Sequence, residues 1–287
     1  LFLQEETMLS SLPQDKYIKI GDINTRFWQA GDTGSAIILV HGLGGFIENW
    51  IYNIGPLAVS HRVYAIDLLG FGRSDKKPLI NDLMVLVKFI KDFLDTQNIA
   101  KASLIGNSLG GGLVLAFALD YPANVEKLVL VDTAGMGRGV ITDFKVCSLP
   151  IFGELLIRPN PEKSARLWAK IVYDASVLTP EMKELTNEYA SAVGAPQAML
   201  AALRAGINLF GQKDKLTRPV LARLGTIKAP VLVVWGDRDR IIPPAHARVA
   251  AEKIFGARLE IFDRCGHMPM FEYPEKFNKL VLDFLAK

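Results

Sequence analysis

A chain of 287 residues, 50% hydrophobic and 22% charged, is too apolar for a disordered segment and too mixed for a collagen-like or low-complexity one. At this size a fold buries roughly 75% of the surface its unfolded chain exposes, so one large core, with room for an inserted unit, needs no disulfide or metal. Lys plus Arg number 33 against 30 Asp plus Glu, and no basic run exceeds the pair Lys76-Lys77, which excludes the footprint of a protein that binds nucleic acid or an anionic membrane.

The opening stretch, Leu1 to Leu9, is broken by Glu5 and Glu6 and has no basic segment, so it does not read as a signal peptide. No apolar run approaches the ~18 residues of a membrane span. Cys147 and Cys265 form neither a metal-spaced set nor a disulfide framework. The expectation is a cytoplasmic, unanchored protein whose partner is a small molecule.

From Lys16 to Gln29 apolar and polar residues alternate around Gly21-Asp22, the pattern of an edge hairpin. Six continuous apolar runs follow: Ala36–Val40, Val63–Asp67, Ala102–Asn107, Lys127–Asp132, Pro230–Gly236 and Arg258–Asp263. Parallel strands covered on both faces require such runs. Helical patterns lie between them, at about Trp50–Val59, Asp82–Asp95, Leu109–Tyr121, Ala245–Phe255 and Pro274–Ala286. Strand alternating with helix predicts an α/β fold, a doubly wound, mostly parallel sheet. From Gly135 to Gly225 the alternation lapses into helical pattern punctuated by prolines. The predicted organisation is therefore a core of residues 1–134 and 226–287 with a helical cap, residues 135–225, inserted in it.

Gly106-Asn107-Ser108-Leu109-Gly110 fits G-x-S-x-G directly after an apolar strand and at the start of a helix. A tight strand-to-helix turn there lifts the Ser108 hydroxyl above the sheet. As a mere helix N-cap Ser108 would need none of that context. A dinucleotide fingerprint needs Gly where Ser108 stands, and a Walker-type loop needs Lys-Ser/Thr where Gly112-Leu113 stand.

A serine hydroxyl becomes a nucleophile only with a base, itself oriented by a carboxylate. Of four histidines, His41 lies in a turn after a strand, His61 precedes a strand and His246 sits on a helix face. His267, in the loop between the last strand and last helix, is the one a loop can present to Ser108. Three carboxylates can orient it: Asp239 is preferred, Asp132 is its rival, and Asp237 reads as a turn-former bonding its own backbone.

Together His41-Gly42-Leu43-Gly44-Gly45, the segment Asp67 to Ser74, Gly106 to Gly111, Gly236 to Pro243 and Cys265 to Phe277 resemble the α/β-hydrolase family. The resemblance implies Ser108 as nucleophile, Asp239 as acid and His267 as base. It also implies an oxyanion hole from the backbone N–H groups of Leu43 and Leu109, and a structural role for His41. No spacing in the sequence implies a metal or a cofactor.

Ser108 at the elbow argues against the dehalogenases and epoxide hydrolases of this fold, which use Asp there. Carboxylesterases and the hydrolases that cleave carbon–carbon bonds in ring-fission products both remain. The latter typically carry an HGGGPG turn and a Trp after the base; here the turn is HGLGGF and Met268 follows His267. The expectation is therefore ester hydrolysis through an acyl-serine. Carbon–carbon hydrolysis is the alternative, and a ligand-binding receptor of the same fold is the non-enzyme reading. Apolar residues of the inserted stretch, among them Phe144, Ile151, Phe152, Leu155, Trp168, Met199, Leu203 and Phe210, suggest an apolar acyl group.

Overall fold

Continuous β-branched runs send alternate side chains to opposite faces, and here each face meets its own layer of helices. The computed structural model describes residues 12–77 and 82–287, apart from the side chains of residues 163–165; the opening stretch read above lies outside them. The chain runs β1 (Lys16–Ile20), β2 (Ile23–Ala30), β3 (Ala36–Val40), α1 (Ile54–Ala58), β4 (Arg62–Ile66), α2 (Met84–Thr96), β5 (Ala102–Asn107), α3 (Leu109–Asp120) and β6 (Val125–Val131). Helices α4 (Thr142–Cys147), α5 (Phe152–Leu156), α6 (Pro161–Ile171), α7 (Pro180–Ser191) and α8 (Ala195–Gly206) follow. Then come a ladder of β7 (Ile207–Asn208) and β8 (Gly211–Gln212), helix α9 (Asp214–Arg223) and β9 (Val231–Gly236). The chain closes with α10 (Ala245–Lys253), β10 (Arg258–Phe262), α11 (Pro269–Glu272) and α12 (Pro274–Leu285).

The main sheet has the order β1-β2-β4-β3-β5-β6-β9-β10. Its β1/β2 and β2/β4 pairs are antiparallel and the rest parallel, so the expected doubly wound α/β sheet is present and the hairpin occupies one edge. On one face Ile38, Val40, Leu104 and Leu130 pack with Val87, Phe93, Leu113 and Phe117 of α2 and α3. On the other Ile37, Leu39, Ile105 and Val129 pack with Trp50, Leu57, Phe277 and Val281. At about 1.5–3 kcal/mol for each fully buried large aliphatic or aromatic side chain, these two layers hold the strand ends in register, and the site is built on those ends.

Three details depart from the sequence reading. The helix expected around Trp50–Val59 divides into a 3₁₀ turn at Ile47–Trp50 and the short α1, because Pro56 is tolerated only in a helix's first turn. The inserted stretch, expected to lack strands, contains the β7/β8 ladder; the Asn208 side chain accepts the Phe210 N–H (2.9 Å) and Gly211 takes φ +110°. One helical turn, α11, forms directly after His267.

The inserted helices are pinned to the sheet by a buried charge cluster. Arg26 on β2 donates to Glu48 (2.7 Å), Asp67 (3.3 Å) and the Tyr189 hydroxyl of α7 (3.2 Å), and Tyr189 donates to Glu48 (2.9 Å). Asp67 also accepts the N–H groups of Ile47 and Arg73, both at 2.8 Å. Such bonds offset much of the cost of burying charge, although Arg26 Nε is left without a partner among the described residues. Neither cysteine forms a disulfide, and among the described residues no helix is long and apolar enough to cross a membrane.

Candidate active site

Five chemically relevant residues, His41, Ser108, Asp132, Asp239 and His267, follow the carboxyl ends of parallel strands, the edge where open α/β sheets bind ligands. Ser108 takes φ +57° and ψ −118° between β5 and α3, a conformation L-residues rarely adopt. Its N–H donates to Val131 O (2.9 Å), and its carbonyl accepts from Gly112 (3.1 Å) and Ala134 (3.0 Å). The turn is tight enough that a Cβ at Gly106 would lie 2.4 Å from the Gly110 carbonyl. That close approach explains the glycine two residues before the serine.

The loops after β9 and β10 are laced together backbone to backbone. A Cβ on Gly236 would fall 1.9 Å from the Gly266 carbonyl, and Arg238 N–H donates to Cys265 O (2.9 Å). This lacing sets His267 beside Asp239, Nδ1 to Oδ2 at 2.8 Å, with both residues buried. A carboxylate accepts only, so the ring carries its proton on Nδ1 and leaves Nε2 free to accept one. The second oxygen of Asp239 accepts the N–H groups of Ile241 (2.7 Å) and Ile242 (3.1 Å). Asn107, adjacent to Ser108, donates to His267 O (3.0 Å). Among the described residues no hydrogen bond joins the Ser108 hydroxyl to His267; such contacts commonly tighten only when substrate binds.

Asp132, the rival acid, makes no hydrogen bond to the ring, although one of its oxygens, an Asp239 oxygen and a His267 nitrogen lie within 4.8 Å of one another. Asp237 does not close a turn on its own backbone as expected: its Oδ1 accepts the Cys265 N–H (3.2 Å), so it braces the loop that carries His267. The sequence reading missed Glu272 entirely. Its carboxyl accepts the N–H groups of Tyr173 (2.6 Å), Gly266 (3.0 Å) and Met268 (3.2 Å), tying the His267 loop to the chain just past α6. Burial nevertheless pushes its pKa up. An acid in the otherwise apolar run Met268 to Tyr273 was the available signal.

His41 is buried, its Nδ1–H donating to Gly42 O (2.8 Å) and its Nε2 accepting Leu68 N–H (3.1 Å). Burial lowers its pKa to about 4, so the ring is neutral and pins the turn that carries Leu43. That turn is closed by Gly45 N–H to Gly42 O (3.1 Å). Leu109 opens α3, where the first N–H groups have no intrahelical acceptor. His246 is buried on α10, and His61 bonds Ser60 near the surface.

Ser108, Leu43 and Leu109 line one cavity of about 390 Å³. The wall continues along α3 through Leu113 and Ala116 to Asp120, and twelve residues of helix at 1.5 Å rise make that ~18 Å. Leu83, Met84 and Val87 from the α2 region and Val220 from α9 close the sides. Of the inserted apolar residues named above, only Phe144 and Leu203 line this cavity; Ile151, Phe152 and Phe210 are 73%, 56% and 71% exposed.

A family model described as alpha/beta hydrolase fold matches residues 35–274. A 2-hydroxy-6-oxo-6-phenylhexa-2,4-dienoate hydrolase from Burkholderia cepacia is 34% identical over 259 residues, 88% of each chain. A 2-hydroxy-6-oxononadienedioate/2-hydroxy-6-oxononatrienedioate hydrolase from Comamonas testosteroni is 33% identical over 259 residues, again 88% of each. Among solved structures, a meta-cleavage product hydrolase from Pseudomonas fluorescens superposes with a TM-score of 0.79 at 28% identity, covering 96% of this chain and 98% of that one.

Proposed function

This chain belongs to the α/β-hydrolase family, and on that premise we propose that it hydrolyses the carbon–carbon bond beside a ketone through an acyl-serine on Ser108. The observation that carries the bond type is the likeness, over most of both chains, to relatives named for hydrolysing 6-oxo dienoates. This revises the expectation of simple ester cleavage.

In this reading His267 takes the Ser108 proton, and the alkoxide adds to the ketone carbon. The developing oxyanion is held by the N–H groups of Leu43 and Leu109. The carbon–carbon bond breaks from the keto tautomer, reached when the 2-hydroxyl proton moves to the carbon beside the ketone. Its electron pair thus passes into the enone as a dienolate, whose oxygen takes the proton held by His267. Water, activated by His267, then releases the acyl group as a carboxylate and regenerates Ser108. Asp239 holds the base in its tautomer and stabilises the imidazolium. The helices between β6 and β9 act as a cap that contributes Phe144 and Leu203 to the acyl pocket.

A second reading, hydrolysis of carboxylic esters with an apolar acyl group, is favoured by the cavity wall. Its basic side chains are Lys215 and Arg223. Arg223 is paired with Asp120 (2.8 Å), at the end of α3 opposite Ser108. Of these two lining cations, one is thus already neutralised by an acidic partner before a dienoate's carboxylate could reach it. Steady-state turnover of 2-hydroxy-6-oxo-6-phenylhexa-2,4-dienoate, followed by loss of the dienolate absorbance, is compared with that of p-nitrophenyl esters of increasing chain length. A higher kcat/KM for the dienoate is expected; turnover of esters alone would replace the first reading by the second. Ser108→Ala should abolish turnover of whichever substrate is used, and near-normal rates in that variant would remove Ser108 from the mechanism.

A further inference from the structure

Asp132 directly follows β6, one strand away from the strand that leads to Asp239, with no exposed surface and a φ of +44°. One of its oxygens accepts the Gly236 N–H (3.0 Å). The other, Oδ2, is buried with no donor facing it among the described residues. One oxygen of its carboxyl lies within 4.8 Å of an Asp239 oxygen and of a His267 ring nitrogen. Two ionised carboxylates at such a distance, both buried, repel strongly, whereas one proton shared between them turns repulsion into a hydrogen bond.

We infer that Asp132 keeps its proton and donates it from Oδ2 to the Asp239 carboxylate, so that His267 is backed by a carboxyl–carboxylate pair in which Asp132 is a positioning residue. The proton answers both anomalies at once, since it gives the orphaned oxygen a partner and removes a buried charge. It also leaves a single negative charge on the pair, which the imidazolium formed during attack requires. The other groups facing the pair agree. Glu272 on α11 and the Cys265 thiol are acidic groups, and His246 on α10 faces Asp239 with its pKa lowered by burial. Arg238 and Arg240, the basic residues of the Asp239 loop, are exposed. Burial, followed by the Asp239 charge, holds Asp132 well above the usual carboxylate range. Both Asp239 oxygens and Asp132 Oδ1 are already engaged by N–H groups, which leaves a poor cradle for a cation.

The inference rests on the Ser108–His267–Asp239 reading proposed above, and its test separates the two. Asp132→Asn retains a donor for Asp239 and an acceptor for Gly236, and Asn tolerates positive φ. Asp132→Gly tolerates the backbone and removes the donor. The readout is the rate at which a fluorophosphonate labels Ser108 as a function of pH. The rate for Asp132→Asn should stay within about threefold of wild type with the same acid-limb midpoint. Asp132→Gly should fall at least about tenfold, and its acid limb should move to higher pH, because Asp239 then bears its charge undiluted and makes His267 more basic. The infrared difference spectrum between wild type and Asp132→Asn at neutral pH should show a protonated-carboxyl C=O band in wild type alone.

If Asp132→Asn falls as far as Asp132→Gly, or Asp132→Gly matches wild type in rate and midpoint, the inference is overturned. Absence of the protonated-carboxyl band, or activity lost to a chelator and restored by a divalent cation, overturns it too. Wild-type protein that does not label would instead defeat the triad reading. The infrared measurement on folded Asp132→Asn still decides the protonation, even if Asp132→Gly does not fold.

Discussion

Asp239 holds His267 with one oxygen and its own loop with the other: Oδ2 lies 2.8 Å from Nδ1, while Oδ1 accepts the N–H groups of Ile241 and Ile242. The carboxylate cannot rotate without breaking all three bonds, so the ring's tautomer is set by the backbone of a loop. Asp239→Asn keeps the shape but can present an N–H to the ring, favouring the wrong tautomer. In the serine-protease triad the equivalent swap costs ~10⁴ in kcat, and a loss of about 10³–10⁴ with little change in melting temperature is expected here. Asp237→Asn, whose amide oxygen can still accept from Cys265, should keep most of its activity. Reversal of that order in steady-state kinetics would reassign the acid.

Glu272 gives a different kind of prediction because it gathers three backbone donors from two segments, Tyr173 beyond α6 and Gly266 and Met268 around the base. Glu272→Ala orphans all three at a cost of ~1–3 kcal/mol for each donor that remains buried, so urea unfolding should report a loss of about 2–5 kcal/mol. Glu272→Gln, which retains one acceptor oxygen, should lose less. Equal stability of the two variants would mean that water replaces the carboxylate.

The pH dependence of stability carries two opposed signatures. His41 is neutral in the fold with its pKa lowered to about 4 from 6.5, so as the pH falls through that window the unfolded chain takes up a proton that the folded one refuses. That stability is present above pH 6.5 and lost on acidification; at 1.36 kcal/mol per unit it is worth up to about 3 kcal/mol. Asp67, raised by burial to about 6 from 3.8, acts the other way, since the folded state keeps its proton longer and stability falls as the pH rises through that range. The advantage of wild type over His41→Gln in denaturant unfolding should therefore shrink by about 3 kcal/mol between pH 7 and 4. Asp67→Asn should gain on wild type as the pH rises from about 4 to 6. A wild-type advantage over His41→Gln that does not change with pH would mean that the fold does not lower the His41 pKa.

The strands were legible because continuous runs such as Ala36–Val40 have no other use than a sheet covered twice, and Ser108 because strand, G-x-S-x-G and helix follow without a gap. His267 could be reached by elimination among four histidines. The juxtaposition of Asp132 and Asp239 could not, since it depends on β6 and β9 being neighbours across the inserted helices. Nor could the cavity: periodicity tells which helix face is covered, not whether packed side chains or a void cover it. Thus Ile151 and Phe152, expected within the apolar cap, are exposed, whereas Val87 and Ala116 from core helices line the cavity. The two-residue strands β7 and β8 are too short for alternation to register.

The void along α3 predicts chain-length selectivity. Ala116 lines it about two helical turns beyond Ser108, which at 5.4 Å per turn is ~11 Å. The cavity therefore continues past Ala116 toward Asp120, and a larger side chain there would divide it. Ala116→Phe should leave kcat/KM for short acyl groups within about twofold and cut it at least tenfold for acyl chains too long for the near half. A tenfold cut corresponds to ~1.4 kcal/mol of lost binding, within reach of two buried methylenes. The added ring partly fills an existing void, so the overpacking penalty should stay at the low end of ~1–3 kcal/mol and the melting temperature should move little. Measured with a p-nitrophenyl ester series, or with dienoates bearing ketone substituents of increasing length, a uniform loss across all lengths would mean that the substrate does not extend along α3. An unchanged profile would place the acyl group elsewhere, with the inserted helices as its wall.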